Sequence, residues 1–277
     1  MAPGSAKYGS GVPKDDGSSD LGPRGGTGRN VDIPSGPNRP NGPAATTVSG
    51  APIDDTGSLG RNTRLYLSRE VPRLVVEIDA VKDFGPTTYA MDTLRERLTQ
   101  IADKPGGIDL LQPETIANGK SRLTRDDLIE LEKRNRDHYS SKDVMVLYVL
   151  YVNGVFADDT EALGVAYEAS AFAVFQEQIR EAAATPLVPA ISIEEAVIVH
   201  EMGHVLALVN IGYTSPRNHE DAEHPNHSSN ANSVMYWAID NVGIANLLQG
   251  RPTPPNKFDT NDLADLSDLK TGRLRVG

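Results

Sequence analysis

The chain has 277 residues, a formal charge of −11 and a hydrophobic content of 38%, enough to build one sizeable core. The acidic balance argues against nucleic acid and anionic membrane surfaces as partners, because both would repel it. Cysteine is absent, which excludes disulfides, thiolate metal ligands and a thiol nucleophile, and no apolar run reaches the roughly 18 residues that span a bilayer.

Residues 1–62 are rich in Gly, Pro and Ser and poor in large apolar side chains, the composition of a disordered leader. Residues 63–277 have the composition of one folded domain. Arg73–Val81 is β-branched and partly alternating, which predicts a strand. An amphipathic helix is expected around 89–102, with Leu94, Leu98 and Ile101 inward, and then a short strand near Ile108–Leu111. Thr124-Arg-Asp-Asp127 predicts a capped helix to about Asn135, with Leu128 and Leu131 inward. Val144–Val152 is an unbroken apolar run, as expected of a strand buried on both faces, and Asn153-Gly154 marks a turn after it.

Leu163–Tyr167 and Ala171–Phe175 read as further strand material, the second of which alternatively begins the helix through Gln176–Ala184. Ser192-Ile-Glu-Glu195 predicts a capping box opening a helix that runs to about Val209. A polar loop and Ser233–Tyr236 follow, and a last helix is expected near Thr260–Lys270, with Leu263, Leu266 and Leu269 inward. Its Asp259–Asp268 carboxylates read as a solvated face, and His138 as a surface residue. Strands interleaved with helices make the fold α/β or α+β.

Five of the six histidines fall between 200 and 227. His200 and His204 are four apart on an expected helix, so their rings share a face one turn apart and suit one zinc ion. Glu201 then points beside the metal, where it can take a proton from water that zinc activates and pass it to a leaving amine. Val199 before and Val205-Leu206 after mark a core helix, and buried imidazoles need partners, which a metal supplies to both. The third ligand stays open on the residues alone. The glutamates after Glu201 are Glu220 and Glu223, both in a polar loop, so a glutamate from a second helix is disfavoured. The same loop, rich in His and acid, could hold a second cation.

From His200 onward the chain resembles the metzincin clan of zinc metallopeptidases, whose motif His-Glu-x-x-His-x-x-Gly-x-x-His precedes a methionine turn beneath the metal. Ser233-Val234-Met235-Tyr236 looks like that turn, which implies a structural role for Met235. Ala207 stands at the motif's glycine, so the helix need not stop there, and Asn210 stands at its third ligand. The archaemetzincins fit better: their third histidine continues as His-Cys-x4-Cys-x-Met, and this chain reads His227-Ser228, then Ser233-Val234-Met235, with serine for both cysteines. That resemblance implies His227 as the third ligand, ahead of the rivals His219, Asn210, Asp221 and His224. It also makes residues 211–226 an insertion and implies that the structural metal held by the cysteines is missing. The block from Ile198 to Ala238 resembles a bacterial metallopeptidase group with this same inserted loop.

The resemblance implies a metzincin-like twisted mixed sheet with an active-site helix, the methionine turn and a C-terminal helix below it. It implies one catalytic zinc ion and a peptide or protein substrate along an edge strand, here Leu163–Tyr167, hydrolysed with Glu201 as general base. Two other readings stand beside it. Ala207 and Asn210 suit a catalytically degenerate binding module, and a zinc amidohydrolase acting on a non-peptide amide would carry the same motif. Met1–Ser5 lacks the apolar stretch of an export signal, whereas the leader resembles the tether of an exported protein and the family implies an extracellular or cell-envelope location.

Overall fold

Every residue of Val144–Val152 is buried, as an unbroken apolar strand with a layer on each face requires. The computed structural model describes residues 50–183, 188–244 and 253–277; residues 1–49 of the expected leader lie outside these. In chain order the elements are α1 (Thr63–Leu67), β1 (Arg73–Val81), α2 (Thr88–Ile101), β2 (Ile108–Leu110), β3 (Glu114–Ile116), β4 (Arg122–Leu123) and α3 (Arg125–Asn135). Then come β5 (Val144–Val152), β6 (Val155–Phe156), β7 (Gly164–Glu168), β8 (Ala171–Phe175), α4 (Gln176–Ala182) and α5 (Ala190–Val205). A 3-10 turn (Trp237–Asp240) and α6 (Thr260–Thr271) complete them.

The main sheet is mixed, in the order β2-β1-β5-β8-β7, with β3 also on β1. β1, β5 and β8 run parallel, while β7 is antiparallel to β8 and forms the edge. Alternation along β5 divides the core. Met145, Leu147, Val149 and Tyr151 meet α2 and α5 on one face, and Tyr148, Leu150 and Val152 meet α3 on the other. The expected α/β class with a mixed sheet is the observed one. None of the described helices is long and apolar enough to cross a membrane.

Residues 50–62, placed in the leader by composition, include side chains packed on this domain. Asp55 is buried and pairs with the buried Arg136 at 3.0 Å, which also pairs with Glu132 at 2.6 Å. α3 carries the expected capping box between Thr124 and Asp127. The box expected at Ser192 does not form. α5 starts three positions earlier behind Pro189, whose ring presets the required φ, and Glu195 accepts the Thr93 hydroxyl of α2 at 2.6 Å instead.

α5 also stops at Val205, short of Val209. Ala207 adopts φ 73 and Asn210 φ 58, so alanine takes the left-handed turn that glycine takes more cheaply, at a cost on the order of 1 kcal/mol. The carboxylates of α6 are not a solvated face either. Asp262 and Asp265 are wholly buried, because Ser233 and the 211–226 loop supply their donors. His138 is half-buried against Glu77 at 3.1 Å.

Candidate metal centre

α5 brings His200 and His204 to one buried face. His200 Nδ1 lies 2.7 Å from the Val234 carbonyl oxygen, and His204 Nδ1 lies 2.8 Å from that of Leu208. A carbonyl oxygen only accepts, so each ring carries its proton on Nδ1. Burial, with the His227 ring adding to it, pulls His200 down to about 3. Burial and the His200 and His227 rings hold His204 well below the ordinary histidine range. Both rings are therefore neutral at pH 7, with bare lone pairs on Nε2.

Those two Nε2 atoms face one another at 2.9 Å. Neither can donate, so the pair is repulsive unless a cation lies between them.

His227 comes from the far end of the 211–226 loop with the same preparation. Its Nδ1 lies 3.0 Å from the Pro225 carbonyl oxygen, and its Nε2 is buried without a hydrogen-bond partner. Its ring centroid is 5.2 Å from that of His200 and 5.0 Å from that of His204. The three histidines each offer a donor nitrogen within 4.8 Å of the others. Burial lowers the basicity of His227, but Asp240 and the neighbouring backbone outweigh it and the net direction is upward. The donor set fits a zinc ion: imidazole nitrogens with their far sides fixed by carbonyls, one of them orphaned.

Glu201 lies between α5 and the edge strand β7. Its Oε1 is buried without a hydrogen-bond partner. Burial pushes its carboxyl well above the ordinary range and Asp240 adds to this, while the Ala166 backbone opposes. Gly164 leaves the carboxylate its room, since a Cβ there would come within 2.6 Å of Glu201 Cγ and 2.7 Å of Oε1.

Beneath the histidines, Ser233–Tyr236 folds into a tight turn. Tyr236 N donates to Ser233 O at 3.2 Å, and Met235 N donates to Ser233 Oγ at 2.8 Å. Met235 is buried, and its sulfur fills the space a Cβ on Gly203 would need.

Of the histidine and aspartate rivals to His227, none groups with His200 and His204 among the described residues. Asn210 donates to Glu220 and accepts from Ser215 N. Asp221 accepts from the backbone of Glu223 and His224, and the His224 ring stacks on Trp237 at 4.1 Å. His219 turns to α6, 3.0 Å from Asp265 and 3.5 Å from Asp262. With Asp259 and Asp262 it forms a separate group that could hold an ion.

Sequence reasoning missed Asp240. Its Oδ2 lies 3.9 Å from His200 Nε2 and 3.7 Å from His227 Nε2. Nothing in local spacing marks it, since its placement depends on pairing with residues far back in the chain.

No protein-family model and no curated protein matches this chain. Among solved structures, the crystal structure of archaemetzincin from Methanopyrus kandleri is similar over 70% of this chain and 93% of that one, at 12% identity and a TM-score of 0.44.

Proposed function

We propose that the protein is a zinc-dependent metalloendopeptidase in which His200, His204 and His227 hold one zinc ion and Glu201 is the general base. The observation that carries this reading is the convergence of three imidazoles, each backed by a carbonyl at Nδ1, beside a buried carboxylate. When bound, a zinc ion polarises a substrate carbonyl and makes water nucleophilic near neutral pH.

The remaining steps belong to the chain. Glu201 Oε1 has no competing donor, so it takes a proton from the attacking water and delivers it to the leaving amine. The edge strand β7 offers backbone groups to an extended peptide, which aligns by strand addition. Met235, in the role of a methionine turn, packs against Gly203 and seats the helix turn that bears both histidines.

Elemental analysis of the purified protein should find about one zinc per chain, largely lost in His227→Ala. Glu201→Gln should keep the zinc and lose peptide hydrolysis by at least about a hundredfold. A zinc-loaded Glu201→Gln variant that cleaves peptides as fast as the wild type would falsify the assignment. A non-catalytic, closed metal site is the second reading, favoured by the carboxylate of Asp240 beside the histidines.

A further inference from the structure

The position of Asp240 is set by backbone pairing remote from the histidines. The Asp240 carbonyl accepts from Leu163 N at 2.6 Å, and Val242 N donates to Glu161 O at 2.9 Å. Asn241 forms an isolated antiparallel bridge with Ala162, and its side chain reaches Glu161 at 3.3 Å. Residues 240–242 thus strap the chain onto the segment entering β7. The strap delivers one carboxylate oxygen to the two histidine nitrogens.

Ligand atoms around a tetrahedral zinc ion are about 3.3 Å apart, given bond lengths of about 2.0–2.1 Å. The 2.9 Å between His200 and His204 and the 3.9 and 3.7 Å from Asp240 to His200 and His227 bracket that value. No hydrogen bond of the Asp240 carboxylate to a backbone amide or to Lys or Arg is present among the described residues.

We infer that Asp240 is a fourth ligand of the same ion, held in place by the strap, so that the resting centre is closed as three histidines and one aspartate. The inference rests on the three-histidine reading and goes beyond it. Metalloenzyme centres with three protein ligands keep one position open, so here the carboxylate must withdraw before a substrate can enter.

The test uses the cobalt-substituted full chain, with azide as a probe of an open position. Wild type should show a four-coordinate visible spectrum that millimolar azide leaves unchanged. Asp240→Asn and Asp240→Ala should both shift on adding azide, and a competing chelator should show their metal affinity weakened at least about tenfold. Asp240→Asn matches the carboxylate in size and guards against misfolding of the alanine variant. Equal azide response and equal metal affinity in wild type and both variants would overturn the inference, leaving Asp240 as an ion-pair partner of His227. Wild type that takes up neither cobalt nor zinc would instead sink the three-histidine reading, and the inference with it.

Discussion

Glu201 and Gly164 are coupled through a space the size of one methyl group. A Cβ at Gly164 meets the Glu201 side chain at 2.6 and 2.7 Å, and two packed elements, α5 and β7, leave no slack between them. Gly164→Ala should push the carboxylate aside while leaving the histidines in place. Zinc content should hold near wild type, and peptide hydrolysis should fall on the order of a hundredfold. A fully active Gly164→Ala chain would show that Glu201 does not work from its observed position. Ala207 is a second residue at which one methyl group matters, since its left-handed φ of 73 ends the histidine helix at a position where the sequence had the helix run on.

At the scale of elements, the 211–226 loop and α6 are joined by buried charge. Asp265 is wholly buried and accepts from Tyr213 at 3.1 Å, Ser215 at 2.8 Å and His219 at 3.0 Å, with Arg217 paired to it as well. Asp268, at the edge of the cluster, pairs with Arg217 and Arg273. Asp265→Ala strands buried donors and an arginine, so urea unfolding should show a loss of about 3–5 kcal/mol. Asp268→Ala should cost less, because its partners reach solvent.

This cluster also marks where the sequence stops being legible. β1, β5 and α3 announced themselves through local pattern: β-branched residues, an apolar run, and a Thr124–Asp127 box. So did the His200–His204 pair, whose spacing is a property of one helix. The aspartates of α6 looked solvated because their partners come from a distant loop. The start of α5 was misplaced at Ser192 because the helix already begins behind Pro189 and Glu195 binds Thr93 of another helix. Asp240 was invisible because its place depends on Leu163. Short strands such as β4 and β6, two residues each, carry no period at all.

The stability of the whole molecule should depend on pH through Asp79. The side chain is buried in β1, where it accepts from Tyr148 Oη at 2.6 Å. Burial pushes its carboxyl up to about 7, against the opposing Tyr148 bond and with nearby Glu77, Glu114 and Asp137 adding to the rise. The unfolded chain releases this proton near pH 4, so between about pH 4 and pH 7 the folded state binds more protons and loses stability as pH rises. Above pH 7 the effect is flat. Asp79→Asn should therefore match the wild type near pH 4 and exceed it at pH 8, by at most about 4 kcal/mol, in denaturant unfolding at each pH. A constant difference across that range would exclude the buried proton as the cause.

β5 has a further consequence, in the time before the sheet exists. Its register ties Arg73 of β1 to Val144, and Val152 to Phe175 of β8, so one neighbour precedes it by many residues and the other is synthesised after it. Pairings so far apart in sequence form slowly. Meanwhile Val-Met-Val-Leu-Tyr-Val-Leu-Tyr-Val carries no charge and no proline, the composition of a segment that adds to copies of itself. Lys142 and Asp143 stand before it and Asn153-Gly154 after it, charge and turn placed at the only two points where they leave the buried strand intact. The strand that holds the finished sheet together is thus also the segment that a nascent chain must shelter most quickly, and self-association during synthesis competes directly with closure of the sheet around it.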